Sequence, residues 1–202
     1  MNAAKIRLSQ TEMELLMNAD WILTKNSILL KTIQLLAAIQ QQQQQYLQQY
    51  AVVLSATIIQ STPKISKGEN YKGLPYQVLD YPRVFAGKDI FTIRTMFWWG
   101  NFFSVTLHCS GAYQKLFAPK IIAGYDQLAR HNFFSCVNAD QWEHHFEETN
   151  YQSIAGIDKT GWEERISQQD FFKISGRVDL SRWNNAEELL LNYFNLLLEL
   201  LA

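Results

Sequence analysis

The sequence lacks several features that would assign it to a class at once. It has only two cysteines, Cys109 and Cys136, in 202 residues, which is too few for the disulfide framework of a small secreted domain. Acidic and basic residues nearly balance, with a formal net charge of -1, so no overall field attracts nucleic acid or an anionic membrane. We therefore do not expect nucleic acid as a partner.

Long apolar runs are also missing. The N-terminal stretch MNAAKIRLSQTEME has no apolar core of the kind that signal peptides carry. No uninterrupted apolar run reaches the roughly 20 residues that a membrane-spanning helix needs. We expect a soluble, cytoplasmic protein with no membrane partner.

No motif marks a catalytic or cofactor site. The chain contains no G-x-S-x-G elbow, no H-E-x-x-H pair and no glycine-rich phosphate loop. If residues 140–148 were helical, Asp140, His144 and Glu148 would share one face and could hold a divalent ion. On a strand the neighbouring histidines would diverge, and the pattern fits either. The favoured interpretation is an exposed polar face, with no metal and no cofactor.

The composition is that of a globular protein, with 48% hydrophobic and 13% aromatic residues. The length allows a sizeable core in one domain over residues 1–202. Within it we expect a helical N-terminal segment over residues 1–60 and an α+β core over residues 61–202.

Residues 89–109 are the stretch around which the chain is organised. Two runs of β-branched and aromatic residues flank Gly100-Asn101, which predicts a hairpin with a two-residue type II′ turn. This register places one set of side chains on a common face: Phe91, Ile93, Thr95, Phe97, Trp99, Phe102, Ser104, Thr106 and His108. The other face then carries Ile90, Thr92, Arg94, Met96, Trp98, Phe103, Val105, Leu107 and Cys109. Neither face is simply polar, so we expect both to be covered.

The hairpin also supplies the candidate binding residues. An apolar wall with a few polar groups is how small-molecule pockets are usually lined, although paired hydroxyls are ordinary in sheets. A buried guanidinium needs a carboxylate elsewhere in the chain or a bound anion, because an unpaired buried charge costs several kcal/mol. The ligand-binding candidates are Arg94, Thr95, Trp99, Thr106 and His108. No catalytic residue is assigned.

The N-terminal segment predicts long helices. Ser9 and Glu12 match a capping box, and a helix from Asp20 to Thr57 would run roughly 55 Å. Apolar and small residues form a heptad seam: Leu15, Ala19, Ile22, Asn26, Leu29, Ile33, Leu36, Gln40, Gln43, Leu47, Tyr50 and Leu54. The glutamine run at residues 40–45 is interpreted as solvated or weakly packed helix. A seam of this length predicts a homodimer or an intramolecular partner, so Leu36→Asp or Leu47→Asp should break the dimer or unfold the chain.

The remaining elements are predicted from the positions of proline and glycine and from hydrophobic periodicity. Residues 61–83 are interpreted as a proline- and glycine-rich connector with one short strand at residues 76–79. Its Lys64, Lys67 and Lys72 are expected to lie in a solvated loop or, as the less favoured alternative, to contact phosphate or nucleic acid. A helix is expected over residues 119–130 and a strand over residues 133–137. A half-buried strand follows over residues 172–180, with Lys173 outward, and then an apolar last helix.

The sequence thus predicts an α+β fold, with an antiparallel sheet packed against a long N-terminal helix and an apolar C-terminal helix. The favoured function is a non-enzymatic binding or interaction module that works as a homodimer. The alternative is an enzyme, or a small-molecule or anion-binding protein, with a pocket at the hairpin of residues 91–109.

Overall fold

The structure is a computed structural model in which residues 6–202 are described. The predicted lack of a leader core falls partly on residues 1–5, outside this range. The helices are α1 (Gln10–Met17), α2 (Ala19–Gln48), α3 (Ala56–Ile59), α4 (Ala112–Ala123), α5 (Tyr125–Arg130), α6 (Lys159–Gln168) and α7 (Ala186–Leu201). The strands are β1 (Lys64–Tyr71), β2 (Leu74–Ala86), β3 (Asp89–Trp98), β4 (Phe102–Ser110), β5 (Phe134–Cys136), β6 (Tyr151–Ser153) and β7 (Phe171–Asp179).

The strands form one antiparallel sheet in the order β1-β2-β3-β4-β7-β5-β6. β7 pairs with β4, and β5 pairs with β7, so both strands predicted to join the hairpin do so. The long helix α2 packs on β2, and α7 packs on β4 and β7. The fold is therefore the predicted α+β arrangement.

The central hairpin is present, but its register differs by one residue from the predicted one. Trp98 pairs with Phe102, so the loop consists of Trp99, Gly100 and Asn101. Three-residue loops commonly place a glycine in the left-handed region, and Gly100 has a φ of 70°. A one-residue slip moves a whole strand's side chains to the opposite face, so the faces predicted for β4 were wrong.

One side of the sheet, the helix face, carries the apolar core. β3 and β4 contribute a continuous buried set to it: Phe91, Ile93, Phe97, Phe103, Val105, Leu107 and Cys109. α2, α4 and α7 cover this side. Gly176 of β7 permits a close approach of α7, since a Cβ there would lie 2.4 Å from a ring carbon of Tyr193.

The other side of the sheet, the polar face, is covered by residues 137–150, which form turns and irregular backbone. The ring of Phe146 lies 4.9 Å from that of Phe102 and 5.1 Å from that of Phe134, centroid to centroid. With helices on one side and this segment on the other, β3 and β4 are buried along nearly their whole length. The prediction that both faces of the hairpin are covered is confirmed.

The segment predicted as a connector, residues 61–83, instead contains β1 and most of the 13-residue strand β2. Pro82 lies where the pairing of β2 with β3 shifts, between Asp80 and Arg83. Proline is tolerated at such a bulge because no ladder hydrogen bond is required of it there. The prolines that suggested a loop are thus accommodated within a strand. β1 forms an edge of the sheet, and its exposed Lys64 and Lys67 suit that position, because charged side chains discourage edge-to-edge pairing.

The N-terminal segment forms two helices, as a predicted short break at Ala19 or Asp20 requires, but the second helix is shorter than expected. The capping box at Ser9 and Glu12 is present and begins α1. A break follows at Asn18, and α2 ends at Gln48 rather than near Thr57. Its 30 residues span about 45 Å at 1.5 Å per residue.

The heptad seam is consequently split between two environments. Leu36 and Leu47 are completely buried within the molecule, while Leu15 and Ile22 are exposed. Gln43, inside the glutamine run, is buried and donates to the Thr95 hydroxyl at 3.2 Å, so the prediction of weak packing was wrong for this residue. Only the N-terminal part of the seam remains free for a second chain.

Two further predictions need correction. The helix expected from residue 119 begins earlier, at Ala112, with Pro119 in its interior, and α5 follows it as a separate helix. Residues 140–148 form neither the helix nor the strand that the sequence allowed. The predicted strand near residue 133 is present as β5.

Candidate functional site

Two rows of side chains cross the strands of the polar face side by side. The first, the lysine row, consists of Arg83, Thr92, His108 and Lys173, from β2, β3, β4 and β7. The second, the arginine row, consists of Asp80, Arg94, Thr106 and Ser175 from the same strands. Directly opposed residues of antiparallel strands point to the same face, so both rows lie beneath residues 137–150.

Arg94 is the centre of the arginine row. Its Nε and Nη2 donate to the two carboxylate oxygens of Asp80 at 2.7 and 3.0 Å. Its Nη1 lies 3.0 Å from Nε2 of His144; because arginine can only donate, that ring nitrogen accepts. Burial, followed by the charge of Arg94, lowers the pKa of His144 well below its usual range. Arg94 is thus paired with a carboxylate of the same chain. This was one of the two alternatives that the sequence left open, the other being a bound anion.

His108 is the neutral member of the lysine row. Its Nε2 lies 2.9 Å from Oε1 of Gln141, and an amide oxygen in that orientation accepts the ring N–H. The rings of Trp142 and Phe171 pack around it at 5.5 and 6.1 Å. Burial, followed by the positive charge of Lys173, lowers the pKa of His108 to about 3. The ring is therefore uncharged near neutral pH.

Lys173 stands directly opposite His108 and is only 1% exposed. Its ammonium donates to the backbone carbonyl of Glu143 and lies 5.2 Å from the centre of the Tyr151 ring. Burial, which outweighs the other influences, lowers the pKa of Lys173 to about 8. The prediction that Lys173 points to solvent was wrong, because residues 137–150 cover β7 as well as the hairpin.

Tyr71 of β1 holds the covering segment in place. Its hydroxyl donates to Oε2 of Glu143 at 2.8 Å and accepts the backbone N–H groups of His144 and His145 at 2.7 and 3.0 Å. Burial raises the pKa of Tyr71 to about 12. Between residues 6 and 202, no group of three or more His, Cys, Asp or Glu side chains is arranged to hold a metal ion.

A cavity of about 480 Å³ opens at one end of the sheet. It is lined by Lys88, Asp89, Ser110, Gly111, Ala112, Gln114, Lys115, Gln141, Asp170 and Phe171. Two of these residues, Gln141 and Phe171, also contact His108. The cavity therefore adjoins the lysine row.

The five predicted binding residues separate into two groups. Arg94, Thr106 and His108 share the polar face, with Arg94 directly opposite Thr106. Thr95 lies on the helix face against Gln43, and Trp99 lies in the hairpin loop, where its ring stacks on Trp21 of α2 at 6.4 Å. The structure therefore does not gather all five into one pocket, and their binding role stays a prediction.

Several residues of these rows were missed at the sequence level. Asp80 and Arg83 lie in the segment interpreted as a connector, and Lys173 was assigned to solvent. Thr92 was placed on a face without a role. The one available signal for Lys173 was the expectation that both sides of the hairpin are covered, since a neighbouring strand shares that cover.

A second feature lies at the opposite end of the molecule. The N-terminal apolar surface consists of exposed side chains from α1 and the first turns of α2: Met13, Leu15, Leu16, Met17, Trp21, Ile22 and Leu23. α1 has no buried residue. By length and composition α2 could cross a membrane, with an 18-residue window of mean hydropathy 1.3. That is weak evidence, because core helices and signal sequences satisfy the same criterion.

No family model, no curated protein and no solved structure matches this chain. Its function therefore has to be inferred from the arrangement of its own residues.

Proposed function

We propose that this protein is a non-enzymatic interaction protein that forms a homodimer through its N-terminal apolar surface. The observation that carries this proposal is the exposure of Leu16 (70%), Met17 (78%) and Leu23 (63%) on two consecutive helices. Exposed apolar patches of this kind commonly mark interaction sites.

The properties of α1 support a partner for this surface. An isolated helix of eight residues is marginal in water, and α1, with 8 residues, has none buried. Its capping box contributes about 1 kcal/mol, which is small against the cost of ordering the backbone. Burial of its apolar side chains against another molecule would supply the missing stabilisation.

The local charge favours a protein over a membrane surface. Residues 6–24 carry Arg7 against three acids, Glu12, Glu14 and Asp20. Helices that lie on anionic membranes typically carry Lys and Arg on their polar face. Insertion of α2 across a bilayer would also remove Leu36, Ile39 and Leu47 from the core in which they are completely buried.

The remaining heptad positions favour a second copy as the partner. Leu15 and Ile22 continue the same seam that α2 buries intramolecularly further along. A short apolar seam left free on one chain is self-complementary when two copies meet around a two-fold axis.

Sedimentation velocity at micromolar concentration tests the proposal. We expect the wild-type chain to be a dimer and the double variant Leu16→Asp/Ile22→Asp to be a monomer, because a carboxylate on the N-terminal apolar surface opposes its burial. The matched control is Leu116→Asp, which alters an equally exposed leucine on α4 and should remain dimeric.

Far-ultraviolet circular dichroism of the same variants checks that the core stays folded. A wild-type chain that sediments as a monomer at this concentration would falsify the dimer. Recovery of the wild-type chain, but not the double variant, with neutral phospholipid vesicles would instead assign the surface to a membrane.

A further inference from the structure

The lysine row contains positive charge without a matching carboxylate. Within residues 6–202, neither Arg83 nor Lys173 forms an ion pair with an acidic side chain. The Lys173 ammonium has three N–H donors and one hydrogen bond in that part of the chain, to the Glu143 carbonyl. A buried cation is normally paired, because removing a charge from water is costly.

The same row contains two buried polar atoms that lack partners in the described chain. The hydroxyl of Thr92, a residue 1% exposed, makes no hydrogen bond, and neither does Nε of Arg83. Buried polar groups are satisfied in the great majority of cases. Three donors left partly or wholly unpaired in one row therefore indicate an acceptor that the protein itself does not supply.

The nearby acids are already engaged. Asp80 is held by Arg94 in the neighbouring row, Glu143 accepts from Tyr71, and Asp140 accepts the backbone N–H of Trp142. The charges of Asp140 and Glu143 favour the Lys173 ammonium through space, but within residues 6–202 neither carboxylate forms an ion pair with it.

We propose that the lysine row binds a compact organic anion, with a carboxylate or phosphate group held between Lys173, His108 and Thr92. Adjacent strands lie about 4.8 Å apart, so these three residues occupy neighbouring positions across two strand spacings. His108 stands in the middle of the three, and the proposal requires its ring N–H and the Lys173 ammonium to turn from Gln141 and the Glu143 carbonyl to a shared oxyanion. Arg83, at the end of the row, supplies a second positive charge.

The adjoining cavity is not lined by Lys173, His108 or Thr92, so an anion that enters from it has to move Gln141 first. Its wall includes Gln141, whose amide oxygen occupies the hydrogen-bonding position at Nε2 of His108. An anion entering from the cavity replaces that oxygen and accepts the same ring N–H. The cavity wall contains two lysines, Lys88 and Lys115, and two aspartates, so its formal charges cancel. The positive charge that attracts the anion is therefore that of the lysine row.

Burial is the main cause that lowers the pKa of His108 to about 3 and the pKa of Lys173 to about 8. A bound anion favours the protonated forms, so binding should raise the pKa of the Lys173 ammonium. This rise can be followed by nitrogen NMR of the full chain labelled at lysine.

Isothermal titration calorimetry of the full chain, with inorganic phosphate and with succinate as separate probes, tests the site. We expect one or both to bind, and the probe that binds identifies the group. Thr92→Val removes only the hydroxyl and should weaken binding about tenfold, the loss typical of a hydrogen bond to a charged group. Lys173→Met should weaken it further.

Lys67→Met is the matched control, because Lys67 is an exposed lysine on the edge strand β1, and it should bind as the wild type does. The monomeric Leu16→Asp/Ile22→Asp variant should also bind normally, since the site lies away from α1. The proposal is overturned if neither anion binds, or if Thr92→Val and Lys173→Met both retain wild-type affinity. In the latter case the probes would be adventitious ions only.

Discussion

The two faces of the sheet achieve the same degree of burial by different physical means. On the helix face, apolar side chains such as Phe103 and Leu107 pack against helices and need no specific partner beyond a close fit. On the polar face, the half-buried Arg94 and the buried Lys173 lie under irregular backbone and depend on individual hydrogen bonds. Apolar packing therefore dominates the helix face, whereas the polar face combines an apolar cluster around Trp98 and Phe102 with groups that depend on directional hydrogen bonds.

The two kinds of burial differ in how they respond to substitution. Close packing tolerates similar apolar replacements at modest cost, so the helix face can serve as a scaffold. A buried polar network is sensitive to the loss of any member. Groups in it that have no hydrogen-bond partner are candidates for binding a ligand. Both proposals, the dimer and the anion site, concern surfaces other than the apolar core.

The largest expected effect comes from placing a charge on the helix face. Leu36→Asp should prevent folding, because the new carboxylate would be buried without a partner at a fully buried position. Leu30→Asp, at an exposed leucine on the same helix, should cost about 0.5 kcal/mol or less. Urea unfolding followed by circular dichroism compares them.

A folded, monomeric Leu36→Asp variant would show instead that this position belongs to a subunit interface. That outcome would support the longer seam between two chains, from Leu15 to Leu54, that the sequence predicts.

A smaller but still large effect is expected from breaking the arginine row. Asp80→Ala leaves the half-buried Arg94 with no carboxylate, a change that costs about 3–5 kcal/mol in comparable buried pairs. The double variant Asp80→Leu/Arg94→Met should recover much of this loss, because it replaces both charges with apolar groups. Equal destabilisation of the single and double variants would indicate that packing, rather than charge pairing, holds this row.

The sequence was sufficient for the broad fold because periodicity and chemistry are local signals. The alternation in β3 and β4 predicts the hairpin, and the apolar character of both sides predicts its double cover. The capping box at Ser9 and Glu12 likewise starts α1 where predicted. Each of these features is encoded within a few neighbouring residues.

The candidate site was less accessible because it depends on register and on distant segments. Extending the loop to include Trp99 reverses the faces of β4, which separates Thr95 from Thr106 and His108. The pairing of Arg94 with Asp80 requires strand β2, and the prolines of β2 had led to the prediction of a loop there. The burial of Lys173 depends on residues 137–150, whose irregular path has no periodic signal.

The pH dependence of stability tests whether the polar face holds its two buried histidines in the neutral form. His108 and His144 have lowered pKa values in the folded chain, so below the unfolded value of about 6.5 only the unfolded chain takes up their protons. The free energy of unfolding should then fall with falling pH, by up to about 1.4 kcal/mol per pH unit for each histidine.

The most direct measurement is urea unfolding at pH 7, 6 and 5, at one protein concentration, for the wild type, His108→Leu and the surface control His131→Gln. We expect a steady loss of stability in the wild type and in the His131 variant, with roughly half that slope in His108→Leu. Equal stability of the wild type at pH 7 and pH 5 would contradict this expectation.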